Sequence, residues 1–307
     1  IDKYFSGIGF SHDAVTMGPG DDCAVFDLPS DCELCVSTDT MLAGVHFPQE
    51  ASGDVVADRT LTANLSDLAA MGASPVSFLL SLTMPNSVDS WLADLANKLS
   101  ERSQLHGISL SGGNLAKGPL SVTITVMGTV PTGMALMRRG SKVGDHLYVT
   151  GELGAAAAGL RIVQENGSNH RTLRSAYLHP QPRLVFAQGL RGIASACIDI
   201  SDGFLADLNH VCTASSVGAE IDTQRIFLSD ELRAYAGDRA LEFSLHGGDD
   251  YELCFSASES FSDDIVRLGE ETETLITRVG TITAEPGVWL ADDGVKVAAD
   301  IRGYTHF

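Results

Sequence analysis

Leu120-Ser121-Val122-Thr123-Ile124-Thr125-Val126-Met127 alternates apolar and polar side chains without a break. That period of two predicts a strand with one buried and one open face, the pattern of antiparallel sheet. Segment 76–83 reads as a second strand and 32–38 as a third. Between them, 57–71 predicts a helix closed by Gly72. Leu61, Leu65 and Leu68 form its apolar stripe, while Thr60, Asn64, Asp67 and Met71 fall on another side. Such a helix packs on the core and presents Asn64 and Asp67 to a site. A further helix over 88–105 places Val88, Leu92, Leu95 and Leu99 on one face and stops at Gly107.

Residues 128–146 are turn-rich and basic, with Gly128, Pro131, Gly133, Arg138, Arg139, Gly140, Lys142 and Gly144. We read this segment as the join between two domains, 1–135 and 136–307. Beyond it, 146–150 predicts a strand, 151–162 a helix of small residues and 165–171 a polar surface loop. Segment 196–200 reads as a buried strand that leads through Asp202-Gly203 into a helix ending near Val211. Tyr251, Leu253 and Phe255 alternate with Glu252 and Cys254 as in a strand, and 289–297 reads as a hairpin with a Gly-containing turn. Mixed element order with antiparallel signals in both halves favours α+β over a doubly wound parallel sheet.

The chain has 307 residues, 44% hydrophobic and 20% charged, which suits a globular protein with a substantial core. No apolar run is long enough for a membrane helix. Residues 1–5 have neither the basic flank nor the apolar stretch of a secretory leader. The missing initiator Met suggests that the numbering starts a few residues into the chain. Net charge is −20, from 40 acidic and 20 basic residues. Binding phosphate backbones or anionic membranes needs a basic surface, so neither nucleic acid nor membrane is an expected partner. Of the six cysteines, Cys32 and Cys35 have C-x-x-C spacing, but no second pair or His run completes a zinc site. Cys23, Cys35, Cys197 and Cys254 lie in apolar, strand-like stretches. All six read as reduced thiols of a cytoplasmic protein.

Carboxylates cluster beside Gly, Ser and Thr at Gly20-Asp21-Asp22, Ser37-Thr38-Asp39-Thr40, Asn64-Leu65-Ser66-Asp67, Asp199-Ile200-Ser201-Asp202-Gly203 and Gly247-Gly248-Asp249-Asp250-Tyr251-Glu252. Asp22, Ser37, Thr38, Asp39, Asp67, Asp199 and Asp202 are hard oxygen donors of the kind that bind Mg2+. The alternative for each is a turn or cap residue, and Asp207 and Asp250 fit that alternative best. No G-x-x-x-x-G-K-[ST] occurs, so a P-loop is excluded. Gly112-Gly113-Asn114 falls between two predicted elements, where glycine lets backbone N–H groups approach a phosphate. Arg138 and Arg139 are candidates for a guanidinium clamp, or else an exposed basic linker. The set points to phosphoryl transfer, which asks a protein for alignment and charge neutralisation rather than covalent work.

Gly18-Pro19-Gly20-Asp21-Asp22-Cys23-Ala24, Ser37-Thr38-Asp39-Thr40 followed by Gly44-Val45-His46-Phe47, and Asn64 through Gly72 resemble thiamine-monophosphate kinases. So do 199–203, 247–253 and the terminal Gly303-Tyr304-Thr305-His306-Phe307, all in the family's order. The resemblance implies a two-lobed AIR synthetase-like fold. Its N-terminal lobe would be a mostly antiparallel sheet with helices that binds ATP and Mg2+ and dimerises through the sheet. A C-terminal α+β lobe would follow, with ATP between the two. It further implies that Asp22, Ser37, Thr38, Asp39, Asp67, Asp199 and Asp202 hold several Mg2+ ions and that Gly113, Asn114, Arg138 and Ser201 contact ATP. His46, Asp249 and Tyr304 would line the thiamine monophosphate pocket, with Asp67, Asp202 and Arg138 carrying the catalysis. Asn114 stands where the family commonly has Asp, which should weaken metal binding there. Asp249 replaces a usual Glu with a shorter reach. The implied reaction moves the γ-phosphoryl group of ATP directly to thiamine monophosphate, giving thiamine diphosphate and ADP. The rivals are another ATP-dependent enzyme of the superfamily and a non-catalytic regulator that binds nucleotide or Mg2+.

Overall fold

The computed structural model describes residues 3–5, 8–19, 22–292 and 295–304. Ile1 and Asp2, the Gly20-Asp21 pair, Asp293 and Gly294, where the expected hairpin turn falls, and the Thr305-His306-Phe307 end of the last motif lie outside the described residues. The chain divides into two compact units, Ile1–Leu68 with Ala73–Gly133, and Ala69–Gly72 with Met134–Phe307.

The first unit runs β1 (Val15–Met17), β2 (Val25–Phe26), β3 (Cys32–Leu42), α1 (Gly53–Ala70), β4 (Ser74–Met84), α2 (Asp89–His106), β5 (Ser109–Lys117) and β6 (Ser121–Pro131). Strands β1 and β2 form a small ribbon, and the four-stranded sheet has the order β3-β6-β4-β5. Its β3/β6 and β6/β4 pairs are antiparallel, while β4 and β5 are parallel and joined through α2. The alternation in β6 does what its period demands: Val122, Ile124 and Val126 are buried. Leu61, Leu65 and Leu68 of α1 are buried too, and Leu68 packs onto β6 at Gly128. Leu92, Leu95 and Leu99 form the buried side of α2, but Val88 is its exposed N-cap rather than part of that stripe. The helix ends where Gly107 takes a left-handed conformation, φ 63°.

Charge enters this interior. Asp58 and Arg102 form a buried ion pair between α1 and α2, and Arg59 is fully buried with Nε and Nη2 donating to the carbonyl of His46.

The second unit contains β7 (His146–Thr150), α3 (Ala155–Gln164), α4 (Arg171–Leu178), α5 (Leu184–Gly189), β8 (Ala194–Ile200), α6 (Phe204–Ser215), β9 (Gly218–Asp222), α7 (Asp230–Ala236), α8 (Ala240–His246), β10 (Glu252–Ala257), α9 (Ser262–Glu271), β11 (Ile276–Thr283), β12 (Gly287–Asp292) and β13 (Val295–Ala298). Its seven-stranded sheet has the order β13-β12-β9-β11-β7-β10-β8. Every pairing is antiparallel except β9 with β12. Phe204, Leu205, Leu208 and Val211 of α6 join Ile198, Ile200, Cys254 and Ile282 in its main core. Strand β10 is buried along its whole length rather than on one side only. Cys254 enters that core, while Phe255 stacks on Tyr148 at 5.2 Å and meets Phe186 at 5.8 Å. A second cluster joins Ile162, Leu173, Leu232 and Phe243 of α3, α4, α7 and α8.

All six cysteines are free thiols. Cys23 is exposed in a bend, not in the strand its apolar neighbours suggested. Cys32 and Cys35 sit three apart on β3 and point to opposite faces, so their spacing makes no metal pair. Among the described residues, no helix is long and apolar enough to cross a membrane.

Candidate functional site

In the first unit, the alternation along β3 sorts the candidate ligands. Ser37 and Asp39 lie opposite Val126 and Ile124, whose side chains point into the core beneath α1. Ser37 Oγ donates to Asp67 Oδ2 of α1 at 2.5 Å. The Asp39 N–H donates to Asn64 Oδ1 at 3.1 Å, and Asn64 Nδ2 donates in turn to the Thr60 carbonyl at 2.9 Å. Ser37, Asp39 and Asp67 therefore gather on the helix side of the sheet. Asn64 is fully buried and ties β3 to α1 instead of facing a site.

Thr38 points the other way. It pairs with Thr125 across the strands, its hydroxyl 2.9 Å from that of Thr125 and donating to the Ile124 carbonyl at 3.1 Å. A strand cannot present neighbouring residues to one side.

Gly112-Gly113-Asn114 is part of β5, not the loop expected from its glycines. The reason is packing. Strand β5 carries an extra residue between Leu110 and Gly112, and beyond it a side chain at Gly113 would collide with the Leu80 carbonyl. Asn114 lies opposite Ser81, which in turn faces Thr123, so it belongs to the open side of the sheet together with Thr38. Asp22 is exposed in the bend between β1 and β2. His46 sits half-buried in the turn after β3, and its Nδ1 accepts from the Leu42 N–H at 3.1 Å.

The second unit draws its candidates more tightly together. Asp199 lies near the end of β8 and is 4% exposed, with Ser201 and Asp202 in the turn that follows. The Asp249 N–H donates to the Ser201 carbonyl at 2.9 Å, and the Tyr304 N–H donates to the Asp202 carbonyl at 3.1 Å. Ser201, Asp202, Asp249 and Tyr304 thus share one locality. Asp249 and Tyr251 both have left-handed backbones, φ 68° and 52°, and the Tyr251 hydroxyl donates to Asp249 Oδ1 at 3.0 Å. Such conformations are costly for side chains of this kind and collect at ligand-binding loops. Tyr304 leaves its ring half exposed. Arg138 is exposed beside the edge strand: the preceding Met137 carbonyl accepts from Cys197 of β8, and the Arg138 carbonyl from Ser215 Oγ at 3.3 Å.

Two further acids bind backbone, as expected of cap residues. Asp250 caps α3, accepting from the N–H groups of Gly154 at 2.7 Å and Ala156 at 3.1 Å. Burial holds its carboxyl well above the usual range. Asp207 accepts from the turn at 201–203, and burial, with the charge of Asp202 behind it, pushes its carboxyl up to about 7.

Sequence reasoning missed Glu252, which receives Thr150 Oγ1 and Arg183 Nε, each at 2.6 Å. Arg183 stands far from it along the chain, and nothing local signals their pairing. The ion pair of Asp58 and Arg102 did leave a trace. Asp58 lies on the stripe of Leu61 and Leu65, and Arg102 on that of Leu95 and Leu99.

Among the described residues, no group of three or more His, Cys, Asp or Glu side chains is gathered as a metal site. The donors of Ser37, Asp39 and Asp67 are nonetheless all hard oxygens, a set suited to Mg2+ rather than to a softer metal.

Residues 20–130 match the AIR synthase related protein, N-terminal domain family, and residues 142–292 its C-terminal domain family. Over 315 aligned positions the chain is 40% identical to thiamine-monophosphate kinase of Escherichia coli strain K12, covering all of this chain and 97% of that protein. The chain belongs to the thiamine-monophosphate kinase family. The crystal structure of thiamine-monophosphate kinase from Stenotrophomonas maltophilia K279a is 39% identical, with a TM-score of 0.87 over 92% of each chain. A structure of AaThiL complexed with AMPPCP and TMP is 27% identical, with a TM-score of 0.83 over 94% of this chain and 91% of that one. The two-lobed α+β architecture expected from the family motifs is thus the architecture of this chain.

Proposed function

We propose that this chain transfers the γ-phosphoryl group of ATP directly to the phosphate of thiamine monophosphate, giving thiamine diphosphate and ADP. The observation that carries the proposal is the end-to-end match to kinases named for thiamine monophosphate. A relative complexed with AMPPCP and TMP adds support. The acceptor oxygen is anionic near neutral pH, so no general base is needed. The obstacle is the approach of two polyanions.

Mg2+, when bound, would neutralise that charge and align the phosphates. Its holders are Asp22, Ser37, Asp39, Asp67, Asp199 and Asp202. The grouping of Ser37, Asp39 and Asp67 supports the first part of that set, whereas Thr38 turns its hydroxyl to the other face. Gly113, Asn114, Arg138 and Ser201 would contact ATP, with Arg138 supplying a guanidinium. His46, Asp249 and Tyr304 would recognise the acceptor, Asp249 by attracting its cationic thiazolium. The short link between Asp249 and Tyr304 through the 201–202 turn favours their acting together.

The same reading takes the open sheet face as a homodimer surface. Leu34, Val36 and Leu42 of β3 and Leu79 of β4 are exposed there beside the threonine pairs, an apolar patch that a second copy would cover. Residence in the cytoplasm is supported by the six free thiols. Product formation from ATP and thiamine monophosphate, measured with Mg2+ and after its chelation, tests the function. Thiamine diphosphate should appear only with Mg2+; nucleotide binding without turnover would favour a regulator.

A further inference from the structure

The turn at Ser201-Asp202-Gly203 is held from both sides of its backbone. On the amide side, one oxygen does all the work: Oδ2 of Asp207, in the first turn of α6, accepts from the N–H groups of Ser201, Asp202 and Gly203, each at 3.1 Å. Asp207 is 3% exposed. On the carbonyl side, Ile200 accepts from the Tyr251 N–H at 2.9 Å, Ser201 from that of Asp249 at 2.9 Å and Asp202 from that of Tyr304 at 3.1 Å. Glycines close the remaining space. A Cβ at Gly203 would lie 2.7 Å from the His246 carbonyl, and one at Gly248 would lie 2.5 Å from that of Ser201.

The residues assigned to nucleotide and metal, Ser201 and Asp202, are therefore set by the same short backbone that anchors the acceptor residues Asp249 and Tyr304. A cap needed only for α6 would satisfy the helix's own first amides. Of the three amides only that of Gly203 belongs to the helix's own N-cap; Asp207 also reaches back to those of Ser201 and Asp202, ahead of the helix.

We propose that Asp207 is a positioning residue for phosphoryl transfer, fixing the 201–203 turn so that donor-side and acceptor-side groups keep one mutual geometry. It touches neither substrate, and it acts through the shape of the turn. This rests on the kinase reading above.

Two substitutions separate shape from charge. Asp207→Asn keeps an oxygen that can accept the same three N–H groups and removes the charge. Asp207→Glu keeps the charge and displaces the oxygen by one methylene. Thermal melts and circular dichroism confirm that each variant is folded. KM for ATP and for thiamine monophosphate are then measured, together with calorimetric affinities for Mg2+ with AMPPCP and for thiamine monophosphate. Asp207→Asn should stay within about 3-fold of wild type, while Asp207→Glu should weaken both ligands and lower kcat/KM about 10- to 100-fold, the scale of a misplacement near 1 Å. Wild-type behaviour of Asp207→Glu, or an Asp207→Asn variant as impaired as Asp207→Glu, would overturn the proposal. If wild-type protein makes no thiamine diphosphate, the kinase reading fails, and the AMPPCP affinities of the two variants still decide the role of Asp207.

Discussion

Gly248→Ala puts the smallest possible side chain between the 247–251 loop and the turn it leans on. The new Cβ would lie 2.5 Å from the Ser201 carbonyl oxygen, so the backbone must retreat by at least about 0.5 Å to reach even a tight contact. Little room exists for that retreat. At the adjoining Gly247, a Cβ would already meet the Phe243 carbonyl at 2.5 Å and Ala157 at 2.8 Å. The turn itself is held by Asp207, so the loop moves instead and stretches the 2.9 Å bond from Asp249 N–H to Ser201. Overpacking of this kind costs about 1–3 kcal/mol, a fall in thermal midpoint of about 2–4 °C per kcal/mol for a unit this size. Displacing Asp249 should raise KM for thiamine monophosphate about 10-fold or more and leave KM for ATP within about 3-fold, because Ser201 stays in place. Steady-state kinetics with each substrate varied, beside a melt, measures both. A variant whose KM for thiamine monophosphate matches wild type would refute the argument that this contact aims Asp249.

Asp67→Asn keeps an acceptor for Ser37 Oγ but removes a carboxylate from the proposed metal set. It should cut kcat by about 100-fold or more with little change in melting temperature, and a wild-type rate would remove Asp67 from that set. Arg102→Ala leaves Asp58 charged in the interior and should cost about 3–5 kcal/mol in urea denaturation; a loss below about 1 kcal/mol would contradict it. His106 is held down to about 4, by burial first and by Arg102 next, and among the described residues its Nε2 has no hydrogen-bond partner. It is neutral when folded, whereas the unfolded chain takes up a proton near 6.5, so its contribution is intact above pH 6.5 and lost as pH falls towards 4. The loss amounts to about 3 kcal/mol. His106→Gln should flatten that part of the stability profile, and an unchanged slope between pH 6.5 and 4.5 would count against it.

Long periodic elements were legible from sequence. The alternation in β6 and the leucine stripe of α1 each require one buried side, and each has it. Short elements were not: α7 and α8 span seven residues each, too few for a helical period to declare itself. The glycines at 112 and 113 suggested a loop because glycine carries no strand signal. Their cause is the approach of β4, which only the fold reveals. At the candidate site, the motifs did not show which face of the sheet each residue takes. The period of two already separates Ser37 from Thr38, a consequence the sequence contained. That Asp249 and Tyr304 both hang on the 201–202 turn could not be read beforehand, since the turn joins segments distant along the chain.

Direct transfer between two phosphates is tested by following the phosphorus itself. Protein, Mg2+ and thiamine monophosphate are mixed with ATP labelled in its γ-phosphate, quenched within a turnover and separated. The label should appear in the terminal phosphate of thiamine diphosphate, at a rate matching ADP release, with none retained on the protein. Label trapped on the polypeptide before product forms, or ADP released without labelled thiamine diphosphate, would contradict it.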